Sequence, residues 1–216
     1  MDKRRQRKVT IFASFAASLI IALAISLGLV LSPVTSSSAS SGWTLTDLGS
    51  LDGRNSEALR INNRGQVVGV STTATWDHAF LWKGGIMTDL GTLGRRSDPT
   101  GINERGRVIG TSDTTTGEGR AFLWENGVMT DLGTLGGRES HAVDINLRGQ
   151  VVGASATISG ETHAFLWDDG VMIDLGTLGG TFSAANAINE RGQVVGISGT
   201  ASGRDHAFLW EDGVMA

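Results

Sequence analysis

Two kinds of side chain that could do chemistry recur along this chain at nearly constant spacing. Imidazole and carboxylate groups bind metal ions, and a pair of carboxylates can carry out acid–base catalysis. A regular repeat, however, places equivalent side chains in successive structural units and not in one pocket. We therefore expect each aspartate to accept backbone N–H bonds in a glycine-rich bend and each histidine to donate a hydrogen bond at the end of its strand. The histidines are His78, His163 and His206, and the aspartates are Asp47, Asp89, Asp131 and Asp174.

Other signals of chemistry are weak. The Gly-Thr-Leu-Gly-Gly segments at 133–137 and 176–180 resemble phosphate loops, but neither is followed by the Lys-Ser/Thr pair or the helix that such a loop needs. No Gly-x-Ser-x-Gly nucleophile motif is present, and the chain has no cysteine. The sequence thus predicts no catalytic residue, no metal site and no cofactor.

The charge distribution excludes nucleic acid as a partner. Of 18 basic and 22 acidic residues, five basic ones and a single acidic one lie in the first eight positions. The rest of the chain holds 13 basic against 21 acidic residues. Nucleic-acid binding demands the opposite balance.

An uncharged apolar run from Val9 to Leu31 follows the basic cluster. This order is typical of an export signal, and the run is also close to the about 20 residues that span a bilayer. Residues 1–32 are expected to form a hydrophobic helix, either a signal peptide with a cleavage site after Ala39 or an anchor that binds the membrane. Residues 33–42 predict a serine-rich linker, and the body is expected outside the cytoplasm.

One sequence unit recurs four times in the body, over 47–88, 89–130, 131–173 and 174–216. Asp-Leu-Gly begins each unit, at spacings of 42, 42 and 43 residues. A fixed period of this length is typical of repeat architectures. Ala-Phe-Leu-Trp ends at the four tryptophans, which we expect in the core: Trp82, Trp124, Trp167 and Trp210.

Each unit contains four strand candidates joined by recognisable turns. Asn126-Gly127 supplies the positive φ angles of a type I′ hairpin, and Asn103-Glu104-Arg105-Gly106 predicts a second hairpin with a left-handed glycine. Both faces of the Ala79–Trp82 strand are apolar, so its sheet must be covered on both sides. We expect residues 43–216 to be all-β, a propeller-like array of four antiparallel four-stranded repeats, with a two-sheet sandwich as the alternative.

These units resemble the HAF repeat of bacterial extracellular proteins. The resemblance covers residues 47–216 and is carried by hAFLW..G.M.DLGtLgg..S.A..IN..GqVVG.S. Arg120 stands in the second unit where the other three have the histidine of His-Ala-Phe. The resemblance implies an extracellular repeat protein with a propeller fold and implies no established activity.

The segments between Val-Val-Gly and Ala-Phe-Leu-Trp differ from unit to unit. Because they occupy equivalent places, they share one rim, where recognition residues are commonly found on a rigid scaffold. Trp76 is the only aromatic residue among them and either stacks on a ligand or covers the open side of the first sheet. The candidate ligand-binding residues are Trp76, Asp77, Glu118, Glu161 and Arg204.

The function expected from these features is a non-catalytic extracytoplasmic scaffold that binds a protein or a glycan through the rim. The alternative is a secreted hydrolase acting on glycans, which requires two non-equivalent carboxylates in one cleft.

The strand that precedes Asp-Leu-Gly occurs five times in the chain. The first copy, Trp43–Thr46, lies before the first unit, and the fifth copy is Gly213–Ala216. The repeats therefore form either a four-sheet ring with frayed or shared ends or a piece of a longer ring. The ligand and the oligomeric state stay open.

Overall fold

The computed structural model describes residues 42–216. The helix expected over residues 1–32 and almost all of the expected linker lie outside the described residues. All named strands belong to one compact unit, Leu48–Ala216. Within 42–216, no helix is long and apolar enough to cross a membrane.

Sixteen strands form four antiparallel groups in chain order, which we call sheets 1 to 4. A single parallel pairing, between Thr162 and Phe182, joins sheets 3 and 4. Over residues 42–216, the expectation of an all-β body built from several antiparallel sheets is confirmed. Sheet 1 holds β1 (Ser56–Ile61), β2 (Val67–Thr72), β3 (Asp77–Lys83) and β4 (Ile86–Asp89), and sheet 2 holds β5 (Gly94–Ile102), β6 (Val108–Thr114), β7 (Gly119–Glu125) and β8 (Val128–Asp131). Sheet 3 holds β9 (Gly136–Ile145), β10 (Val151–Thr157), β11 (Thr162–Asp168) and β12 (Val171–Asp174), and sheet 4 holds β13 (Gly179–Ile188), β14 (Val194–Thr200), β15 (Asp205–Glu211) and β16 (Val214–Met215).

The hairpin turns have the conformations that their residues favour. Asn126 and Gly127, between β7 and β8, have φ angles of 54° and 86°, as a type I′ turn requires. The other non-glycine residues with positive φ in the described chain, Asp169 and Asp212, lie at the same turn of sheets 3 and 4. In the second hairpin the Gly106 N–H donates to the Asn103 carbonyl at 3.0 Å, and Gly106 has a φ of 80°.

The apolar core lies between consecutive sheets and not within a single sheet. Phe165 of sheet 3 is fully buried against the preceding sheet, in a cluster that includes Ile109 and Leu123. On the opposite face of the same strand, Ala164 and Leu166 are buried against sheet 4. Both faces of the strand are therefore covered, as its apolar pattern predicts. The four tryptophans are only half-buried, and Trp124, Trp167 and Trp210 pack beside these clusters, so phenylalanine fills the core position that the sequence predicts for tryptophan.

Buried polar side chains connect each sheet to the next. The Ser140 hydroxyl accepts the Ala121 N–H of sheet 2 at 2.9 Å and donates to the Gly133 carbonyl at 2.6 Å. The Asn103 side-chain amide donates to the Asn146 backbone carbonyl of sheet 3 at 2.9 Å. Each inter-sheet junction repeats these bonds, with serines at Ser97, Ser140 and Ser183 and donor asparagines at Asn62, Asn103 and Asn146.

Candidate functional site

A cleft opens at the rim of variable loops, where sheets 1 and 2 meet the start of sheet 3. It consists of two adjoining cavities of about 510 and 540 Å³ that share Asp77, Arg96 and Asp113 in their walls. An antiparallel meander brings the starts of its first and third strands and the end of its second to one edge. Residues far apart in the sequence meet there for this reason.

The outer wall of the cleft is formed by Trp76. Its loop is held by Thr73, whose N–H and hydroxyl donate to the Trp76 carbonyl at 2.9 and 2.6 Å. The side chain of Trp76 stays 49% exposed. The guanidinium carbon of Arg95 lies 6.0 Å from the centre of the indole ring, at the outer limit of a cation–π contact. The loop thus presents a flat apolar surface beside a positive charge.

The floor of the cleft carries charges of both signs. Arg96 Nε donates to a carboxylate oxygen of Asp113 at 2.8 Å. Within the described residues, the carboxylates of Asp77, Asp98 and Glu139 make no hydrogen bond or ion pair, although all three line the first cavity. Three carboxylates without hydrogen-bond partners, a paired arginine and an exposed indole are suited to a ligand that supplies its own donors.

Partial loss of hydration raises the pKa of the Asp98 carboxyl above its ordinary value of 3.8, while the nearby Arg96 acts in the opposite direction. Glu57 and Asp77 add further upward shifts in the pKa of Asp98 through charge repulsion. A carboxyl whose pKa is raised in the folded state destabilises the fold once it ionises.

We expect Asp98→Asn to raise the thermal stability near neutral pH. The folded protein holds the Asp98 proton more tightly than the unfolded chain, so stability falls as the pH rises from 3.8 through the raised pKa. Asparagine is neutral at every pH and avoids this loss. Melting temperatures of both proteins measured from pH 3 to pH 8 test it, since the gain should vanish at the acidic end. An equal gain at both ends of the range would contradict the assignment.

Three of the four repeated aspartates accept the backbone N–H bond that the sequence predicts for them. Asp89 accepts the Gly91 N–H at 2.8 Å, and Asp131 and Asp174 accept the equivalent bonds. Two of these carboxylates also bind a histidine: Asp89 lies 2.9 Å from His78 Nδ1, and Asp174 lies 2.9 Å from His163 Nδ1. Sequence reasoning missed this pairing, although in both pairs the histidine precedes the aspartate that begins the next unit by 11 residues, which was a usable signal.

Arg120 interrupts the histidine column in sheet 2. Its guanidinium lies 3.5 Å from Glu118, and its Nε is buried without a hydrogen-bond partner among residues 42–216. Arg138 also binds Glu118, at 3.0 Å. Desolvation would raise the pKa of Glu118, but the bonds from Arg138 and Arg120 outweigh it, so the pKa is lowered. The Glu118 carboxylate is therefore already engaged by protein side chains.

The five candidate ligand-binding residues do not converge on one place. Trp76 and Asp77 line the cleft, and Glu118 lies between the two cleft-lining glycines of its turn. Glu161 accepts a hydrogen bond from Ser159 at 3.0 Å in sheet 3, and Arg204 is exposed in the corresponding turn of sheet 4. Neither of the last two lines the cleft.

Three charged residues that line the cleft are not among the five candidates. Each differs from the residue at the equivalent position of another repeat. Arg96 and Glu139 stand where sheet 4 has Phe182, and Asp98 stands where it has Ala184. A charge at a position that varies between units was the available signal for them. Within residues 42–216, no group of three His, Asp or Glu side chains is placed to hold a metal ion.

No protein-family model and no curated protein matches the chain. Among solved structures it is similar to TolB from Acinetobacter baumannii, with a TM-score of 0.51 and 13% sequence identity. The likeness covers 69% of this chain and 39% of that chain, so this chain spans well under two thirds of the length of TolB. At such low identity the likeness concerns the fold alone, which is β-propeller-like. The resemblance to HAF repeats rests on the sequence motif.

Proposed function

We propose that this protein is a non-catalytic, extracytoplasmic repeat scaffold that binds a segment of another protein in the cleft beside Trp76. The observation that carries the proposal is the exposed indole beside Arg95, in a cleft that is also lined by Arg96 and by carboxylates that lack hydrogen-bond partners within the described residues. Tryptophan and arginine dominate the binding energy of protein interfaces, and charges of both signs fix the partner and its orientation.

The proposed location is supported by the N-terminal sequence. Five basic residues precede the uncharged run Val9–Leu31, an arrangement that the export machinery recognises. The body then lies outside the cytoplasm whether this segment is removed or retained as an anchor. A β-propeller-like body with variable loops on one rim suits a binding scaffold in either case.

Trp76→Ala is the central test of the cleft. We expect the binding of peptides selected from a random library to weaken about tenfold or more, because the largest apolar contact in the cleft is lost. The free energy of unfolding should fall by less than it does for Trp167→Ala, since Trp76 is the more exposed of the two side chains. Titration calorimetry and thermal melts measure the two quantities. Trp167→Ala is the matched control, because Trp167 packs beside the core between sheets 2 and 3.

The ligand class is tested by panning the full chain against a displayed random-peptide library and against an array of bacterial envelope glycans. Peptides that bind the native chain and lose binding with Trp76→Ala support the proposal. Selective binding of glycans would show that the ligand is a glycan and not a segment of a protein. If Trp76→Ala melts as early as Trp167→Ala, then Trp76 is a core residue and the site is wrong.

A secreted glycan hydrolase is the second candidate. The observation favouring it is that Asp77, Asp98 and Asp113 occupy non-equivalent repeat positions and line the same cleft. Glycosidases use one protonated and one ionised carboxyl, and the raised pKa of Asp98 is the direction a general acid requires. Turnover of reporter glycosides that is lost with Asp98→Asn would favour this candidate. Absence of turnover with a broad panel would remove it.

A further inference from the structure

Within residues 42–216, one apolar face of sheet 4 is not covered by another sheet. Val195 and Leu209 are 44% and 42% exposed. The residues at the same repeat positions in sheet 3, Val152 and Leu166, are 0% and 5% exposed because sheet 4 covers them. Sheet 4 thus presents, uncovered, the surface that each of the other sheets buries against its successor.

No described residue covers the opposite face of sheet 1. Ile61 is 68% exposed, whereas its equivalents Ile145 and Ile188 are 8% and 9% exposed in contact with the preceding sheet. Ala58 is also exposed, while its equivalent Ala185 is fully buried. Sheet 1 therefore presents the half of the junction that sheets 2 to 4 each bury.

The polar groups of the junction are left open in the same complementary way. Within the described residues the Asn189 side-chain amide donates only to Gln193, whereas Asn146 also donates to the backbone carbonyl of the next sheet. On sheet 1, the Ser56 hydroxyl donates to the Gly49 carbonyl but accepts no alanine N–H from the described part of the chain, unlike Ser140. Sheet 4 has a spare donor, and sheet 1 has a spare acceptor.

We propose that the open face of sheet 4 binds the open face of sheet 1 in a second copy of this chain, head to tail. The two open faces carry the repeat positions that meet at a junction between sheets, and the molecule already forms this junction three times between its own sheets. The contact is heterologous, and joining two copies at both ends closes it. The product has eight sheets, within the range of about 4 to 8 found in propellers.

The repeat identifies the positions at which a cross-link reports this contact and no other. Thr162 and Phe182 pair directly between sheets 3 and 4, within reach of a disulfide. The corresponding positions on the two open faces are Asp205 and Asn55. Because the chain has no cysteine, a cysteine placed at either position is the sole thiol.

The experiment mixes full-length Asp205→Cys with full-length Asn55→Cys in mild detergent under an oxidant. We expect a disulfide-linked pair of chains from the mixture and none from either variant alone. Thr162→Cys combined with Phe182→Cys in one chain is the control, and it should close within a single chain. Cross-linking of Asp205→Cys to itself would show a symmetric contact and overturn the proposal, as would no product from the mixture when the control closes.

A second measurement separates docking from folding. Leu209→Asp places a charge on the open face and should reduce the cross-linked product at least tenfold, with the melting temperature of the separated chain unchanged. Leu166→Asp, at the same position of sheet 3, should instead unfold the protein because Leu166 is buried. Light scattering of the native chain at about 100 µM should give the mass of two chains. A single-chain mass, or cross-linking that survives Leu209→Asp, would overturn the proposal.

Discussion

Phe165→Ala is expected to lower the free energy of unfolding by about 3–5 kcal/mol. Phe165 is completely buried between sheets 2 and 3, where it packs in one cluster with Ile109 and Leu123. The substitution removes the aromatic contacts and leaves a cavity that the two packed sheets cannot easily fill. A domain of this size is stable by only about 5–15 kcal/mol. Chemical denaturation followed by tryptophan fluorescence measures the loss.

Trp167→Ala provides the comparison within the same strand. Trp167 is only half-buried beside the same cluster, so we expect a smaller loss, about 1–3 kcal/mol. From the sequence alone, the larger loss would have been assigned to the tryptophan. A loss for Trp167→Ala that exceeds the loss for Phe165→Ala would contradict the packing described above.

Gly153→Ala is expected to cost about 3 kcal/mol although it adds one methyl group. A Cβ atom at this position would overlap the carbonyl oxygen of His141 on the paired strand β9 and would lie 3.0 Å from Phe165 Cε1. The first obstacle is backbone, which cannot rotate away, so the two strands would have to separate. Thermal melts measure the effect.

Gly199→Ala is the matched control for Gly153→Ala. Gly199 also lies in the second strand of its sheet, but a Cβ there meets nothing closer than 3.6 Å. Its substitution should change stability by less than about 0.5 kcal/mol. If both variants melt together, the close approach of β9 and β10 at Gly153 is not what restricts this position to glycine.

Local chemistry explains which features of the fold could be predicted from the sequence. Asn126-Gly127 specifies its turn through the few φ angles that these residues adopt, and the apolar pattern of Ala-Phe-Leu-Trp requires cover on both faces. The preference for Phe165 over Trp167 in the core could not be predicted, because both side chains are large and apolar. The spacing between two sheets decides which of them fits.

The cleft was predicted only in part for a similar reason. Trp76 and Asp77 stand out in the sequence because they lie in a variable segment, and the structure places both in the cleft wall. Arg96 and Asp113 are 17 residues apart on neighbouring strands, and only the strand register brings their charges to 2.8 Å. Aligning the repeats identifies equivalent positions, but a binding site depends on contacts between residues at non-equivalent positions.

The bonds made by Ser140 and Asn103 recur at each junction between adjacent sheets. For this reason the gene can gain or lose a whole unit and the fold is kept. Sheet 4 would offer Ser183 to sheet 2 in the same way that sheet 3 offers Ser140, because both serines stand at the same place in the junction. Unequal recombination that removes or duplicates one unit of 42 or 43 residues therefore creates no new kind of contact. Related genes are expected to differ by whole units, with the variable rim lengthening or shortening in step.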